Sequence, residues 1–171
     1  MDDHERSRYL AVYLNDHLAG ATAGRARFAR SARAHRGSVV GEVLERIGGE
    51  VAQDRRVLLR WMRVLGVQPR WALVGAARVG EAVGALKPNG RLVRSSPLRT
   101  VVELEALVLG VQGKAALWGA LLELGSRGAP LPLAEVEALL VRAQRQAVEL
   151  EELRREAVRD VLAPGGPPGP R

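Results

Sequence analysis

The sequence predicts an all-α protein, a four-helix bundle of two antiparallel helix pairs with a long crossover, carrying a short helix, between helices two and three. Three observations predict it. Four long segments repeat apolar residues at three- and four-residue steps, the period of one helix face. Two of the breaks between them are short and marked by glycine or proline, so the helices on either side must fold back as antiparallel neighbours. The third break runs from Val67 to Ser96, and a connection of that length can travel back along the bundle.

The first helix is expected from near Asp3 to about Ala34, with Leu10, Leu14, His17 or Leu18, Ala21 and Phe28 inside. Its middle, LAGATAGRA from Leu18 to Ala26, is made of small residues. Gly20 and Gly24 each cost about 1 kcal/mol of helix propensity relative to alanine. The expected return is close approach of another backbone, with a cavity or a kink as the alternative. Gly37 ends this helix and Ser38 caps the next, because a serine oxygen accepts an unpaired backbone N–H of the first turn.

Helix two, from about Val39 to Leu65, carries Val40, Leu44, Ile47, Val51, Leu58, Met62 and Leu65 on one stripe, and Gly66 closes it. Asp54 falls on that stripe, where an apolar residue is expected. A half-buried acid requires a partner; Arg55 or a polar group of helix one is the expected one. Glu50 lies one turn earlier, so the two carboxylates share a face, as metal-binding or proton-handling acids do.

In the crossover, Pro69 and Pro88-Asn89-Gly90 punctuate a short, imperfect helix through Trp71, Val74, Ala77 and Val83. Ser96-Pro97 then suits a helix start, since a proline at the first helical position loses no hydrogen bond. The third helix, Leu98 to Leu124, is apolar nearly all round and is expected at the bundle centre, with Val101, Leu104, Val108, Val111, Ala115, Trp118 and Leu122 as its stripe. The last helix starts at about Leu133, buries Val136, Leu140, Ala143, Ala147 and Leu150, and presents a ladder of Glu and Arg to solvent. One domain, residues 1–162, is expected, followed by a disordered Pro/Gly-rich tail over 163–171.

Composition narrows the chemistry. The 171 residues contain no cysteine, which excludes thiol catalysis and thiolate metal sites. The opening MDDHERSRYL has no apolar run suited to a signal or a span, so a cytoplasmic protein with no membrane partner is expected. Lys+Arg number 26 against 19 Asp+Glu, a formal charge of +7. Arg25, Arg27, Arg30, Arg33 and Arg36 follow one another without an acid and form a possible anion surface. Nucleic acid is a possible partner but not the favoured one: nearly every cation is arginine, as GC-rich coding produces, and aromatics for base stacking are few.

The stretches Tyr13 to Ala21, Leu86 to Leu92, Ser96 to Leu98, Val102 to Leu107 and Gly110 to Lys114 resemble a family of uncharacterised ferritin-like proteins of high-GC bacteria, across nearly the whole chain except the tail. The resemblance implies a ferritin-like four-helix bundle and carries no activity. A di-iron bundle of that kind takes one Glu from each of two helices and a Glu-x-x-His pair from each of the other two. Here the three histidines, His4, His17 and His35, all lie in or beside helix one. Asp16, His17, Glu50, Asp54 and Glu105 remain as vestigial inward candidates, with Gln144 where helix four might have supplied an acid. No phosphate-cradling loop or nucleophile elbow is present.

The expectation is therefore a metal-free bundle with no cofactor and no catalytic residues, serving as a cytoplasmic interaction or accessory protein with an unknown protein partner or a second copy. The alternatives are a carboxylate-site metal enzyme or carrier, and a nucleic-acid-binding accessory protein. Trp61, Trp71 and Trp118 are expected as buried tryptophans with satisfied N–H groups, with an aromatic pocket or an interface as the alternative; Trp71, in the crossover, is the most exposed of them and the crossover is where a self-association surface would lie.

Overall fold

The computed structural model describes residues 2–72, 75 and 98–163. Of the crossover's short helix only Trp71, Ala72 and Gly75 are described, and these are helical; the rest of the crossover, with the Ser96-Pro97 helix start, and the tail after Ala163 lie outside the described residues. Within them the chain forms four long helices and no strand: α1 (Asp3–Ala34), α2 (Val39–Val64), α3 (Leu98–Ser126) and α4 (Leu133–Leu162).

The helix ends follow local chemistry. Ser38 Oγ accepts from the Gly41 N–H, capping α2, while Ser38 Oγ–H donates to the His35 carbonyl and ties the cap to the end of α1. Gly66 takes a positive φ of 70°, which lets the Val67 N–H reach back to the Met62 carbonyl and the Gly66 N–H to that of Arg63. This pair of hydrogen bonds satisfies two orphan carbonyls and drops Val67 into the core. Asn15, fully buried, then holds the departing chain: its Nδ2 donates to the Gln68 carbonyl at 3.1 Å and its Oδ1 accepts from the Arg70 N–H at 2.6 Å.

Helix pairing follows from which side chains share a level. One core cluster joins Leu14 and Leu18 from early α1, Leu58, Trp61 and Met62 from late α2, Leu117, Trp118 and Leu121 from late α3, and Val136, Leu139 and Ala143 from early α4. The other joins Phe28 from late α1 to Leu44, Ile47 and Val51 of α2, Leu104, Leu107, Val108 and Val111 of α3, and Leu150 of α4. Each helix therefore runs antiparallel to both neighbours. The neighbour pairs are α1–α2, α3–α4, α1–α3 and α2–α4, which leaves α2 and α3 diagonal and parallel across the bundle.

Several buried faces differ from expectation. On α3 the deep positions are Leu107, Leu117 and Leu121 rather than Ala115 and Leu122, and on α4 they are Leu139 and Gln146 rather than Leu140 and Ala147. Nor is α3 hidden all round: Leu109 is 68% exposed, Val102 and Ala116 face out as well, and only a third of its most apolar window is buried. By length and composition α3 is apolar enough to cross a membrane, and here it serves as one wall of the bundle. Trp71 is exposed.

Candidate functional site

Between the two apolar clusters lies a polar layer. The periods that place Val51 and Leu58 inside also place Asp54 there, midway; Lys114 holds the same position between Val111 and Leu117, and Gln146 between Ala143 and Leu150. Asp54 is 2% exposed. Lys114 Nζ donates to its Oδ2 at 2.6 Å and also to Gln146 Oε1, and Arg142 Nη2 donates to Asp54 Oδ1. Gln146 Nε2 donates in turn to Glu50 Oε2, and Arg145 grips both oxygens of Glu50 at 2.9 and 3.0 Å. Three helices are thereby linked through one chain of charge-assisted hydrogen bonds, the strong class of such bonds.

The same chain sets the α2–α4 register. From one end to the other the pairs are Arg60 with Glu135, Asp54 with Arg142, Glu50 with Arg145, and Arg46 with Glu149. Numbers rise on one helix as they fall on the other by nearly equal steps, which is a single antiparallel register. A slip of one turn would break all four pairs and take Arg142 away from the buried Asp54.

Burial disfavours the charged forms here and the neighbours oppose it, with opposite outcomes at two residues. For Glu50, desolvation pushes the carboxyl up, but hydrogen bonds from Gln146 and Arg145 outweigh it and hold it below the usual range. Lys114 is pulled below the usual lysine value by desolvation, with Asp54 opposing.

α1 places no large side chain at this level. Gly20, Ala21 and Gly24 face a cleft of about 340 Å³, walled on the other side by Ala106, Leu109, Gly110 and Gly113 of α3 and floored by Asp54, Lys114 and Trp118. A Cβ built at Gly20, Gly24, Gly110 or Gly113 would meet nothing within 4 Å. Close helix approach through Gly20 and Gly24 is thus corrected: backbones do meet near Gly48, where a Cβ would lie 3.0 Å from that of Phe28, and at Gly41, where it would lie 2.2 Å from the His35 carbonyl oxygen.

The expected site residues separate. Asp16 and Glu105, read as inward, are exposed, because one residue of helix turns the chain by about 100° and the inward neighbours are Asn15 and Leu104. Glu105 lies 3.6 Å from Arg154 instead. Asp54 is paired not by Arg55, whose Nε donates to Thr22, but by Lys114 and Arg142 from the other hairpin. Gln144 faces solvent, and Gln146 is the buried amide. Among the described residues no three His, Asp or Glu side chains come together as a metal would require. The arginines divide as well: Arg25, Arg33 and Arg36 border a groove of about 420 Å³ between α1 and α2, facing Glu42 and Glu45, while Arg27 lines the α1–α3 cleft and Arg30 is half-buried.

Two tryptophans pack edge to face beside this layer, Trp61 against Trp118 at 5.6 Å and 82°. The Trp118 Nε1–H, expected to be satisfied, has no partner among the described residues. His17, on the cleft wall, packs edge-on to Tyr13 at 4.5 Å, and burial lowers its pKa below 6.5 although Asp16 pulls the other way. The folded state then prefers neutral His17, so stability is complete above pH 6.5 and declines as pH falls below it. Urea midpoints measured from pH 8 to pH 5 are expected to fall for the natural sequence and to flatten over that window in His17→Gln.

The signal for Lys114 was present in the sequence. It is the single charge between Glu105 and Glu123, in a stretch otherwise apolar but for Gln112. A lone ammonium in such surroundings requires a buried anion, and Asp54 is the acid on a facing stripe. Compared with known proteins, the chain matches no family model, no curated protein and no solved structure.

Proposed function

We propose that the chain is a ferritin-like four-helix bundle that has exchanged a metal centre for an internal ion pair, and that it works as a non-catalytic cytoplasmic accessory protein through binding. The arrangement of two antiparallel hairpins with diagonal α2 and α3 joined by the one long connection supports the ferritin-like reading.

The observation that carries the non-catalytic reading is the Lys114 ammonium between Asp54 and Gln146. A cation there already neutralises the mid-bundle carboxylate, and Arg142 neutralises it a second time. A divalent metal would have to expel both, and the donors then left to it, Asp54, Glu50 and an amide, include no imidazole. The layer is built to hold helices in register rather than to activate oxygen or water.

Protein purified without chelators from cells supplied with iron and manganese is expected to contain well under one metal ion per chain and to consume no oxygen on addition of iron(II). Stoichiometric metal with iron(II)-dependent oxygen uptake would defeat the proposal.

A further inference from the structure

Helical glycines are costly. Gly20, Gly24, Gly110 and Gly113 each give up helix propensity, and among the described residues no neighbour comes close enough to use the space beside them. Their combined effect is the α1–α3 cleft, the path from solvent to the polar layer. Its walls are apolar: Ala21, Phe28, Leu58, Leu107, Leu109 and Leu117.

The base of the cleft holds a donor with no acceptor among the described residues. Trp118 is 1% exposed and its N–H is unpartnered among the described residues. Lys114, one helical turn earlier and nine-tenths buried, gives two of its three N–H bonds to Asp54 and Gln146. Charge points the same way: the Asp54 carboxylate at the base carries two cations, Lys114 and Arg142, so that group bears one net positive charge.

We propose that this cleft binds one small amphipathic anion, an apolar chain or ring bearing a carboxylate, with the head toward Lys114 and Trp118 and the body between the glycine faces of α1 and α3. At the roughly 30 Å³ that a water molecule takes in the liquid, 340 Å³ accommodates about eleven non-hydrogen atoms, close to the twelve of a ten-carbon acid. Apolar walls with a few polar groups fixing orientation are the usual composition of a small-molecule pocket. The inference extends the binding role proposed above and does not depend on the metal result: a metal-free protein can fail to bind the acid, and a metal-loaded one can bind it.

The test is calorimetric titration of the full chain at pH 7.5 with decanoate and with decyltrimethylammonium, each below its self-association concentration, alongside Gly24→Leu and Gly110→Leu. These two variants fill the cleft from opposite walls and are expected to keep their helicity and to melt no lower than the natural sequence. Decanoate is expected to bind once per chain, at least tenfold more tightly than the cation, and to lose at least tenfold in both variants. Absent binding, equal affinity for the two amphiphiles, unchanged affinity in the folded leucine variants, or a cleft filled by a second copy, seen as a dimer that both variants dissociate, would each overturn it.

Discussion

Replacing Asp54 with alanine is expected to cost about 3–5 kcal/mol, the range for removing one member of a buried pair and leaving its partner charged. Against a total stability of about 5–15 kcal/mol, that is enough to leave the variant partly unfolded at physiological temperature. The loss has two origins: Lys114 is left nine-tenths buried without its anion, and Arg142 loses the carboxylate oxygen that orders it. Removing Lys114 together with Asp54, as Asp54→Leu with Lys114→Met, should return most of the stability, because apolar groups of similar volume often match or exceed a buried ion pair. Urea denaturation of the single and double variants measures both values. If Asp54→Ala unfolds at the same midpoint as the natural sequence, the layer does not hold the bundle together.

The second large effect separates two kinds of glycine. Gly41→Ala is expected to destabilise by about 1–3 kcal/mol or somewhat more, because its Cβ would lie 2.2 Å from the His35 carbonyl oxygen, a backbone atom that cannot rotate away. Gly24→Ala and Gly110→Ala are expected to stabilise by up to about 1 kcal/mol each, since both sites are helical, open and free of positive φ. Opposite signs from the same substitution distinguish a packed helix crossing from a cleft. Thermal midpoints of the three variants give the comparison directly.

These glycines also show where reading the sequence stops. Gly20 and Gly24, four apart on one helix, have the spacing both of a close crossing and of an open wall, and only the position of α3 decides between them. Features set by neighbouring residues were legible: the Ser38 cap, the Gly37 and Gly66 stops and the α1–α2 turn all lie where local chemistry places them. The apolar period was legible too, which is why Asp54 stood out on its stripe. Its partners were not, because Lys114 and Arg142 belong to the other hairpin and reach Asp54 only once α3 and α4 have docked. Asp16 and Glu105 failed for a smaller reason: each adjoins a buried residue, and a shift of one position rotates a side chain from the core to solvent.

The α3 helix makes the same point. A segment apolar on nearly every side reads as central, yet its outer face borders the cleft through Ala106, Leu109, Gly110 and Gly113. Its apolar character there suits a surface that receives something apolar. At the inner end of that surface stand Lys114, held by Asp54 and Gln146, and Trp118, whose N–H has no acceptor among the described residues.

Diffraction from crystals grown with excess manganese(II) and iron(II), recorded at the absorption edge of each metal, tests the central claim most directly. The ion-pair layer predicts no anomalous peak within bonding distance of Asp54, and the Lys114 ammonium between Asp54 and Gln146. A metal ion within bonding distance of Asp54, with Lys114 displaced, would contradict it.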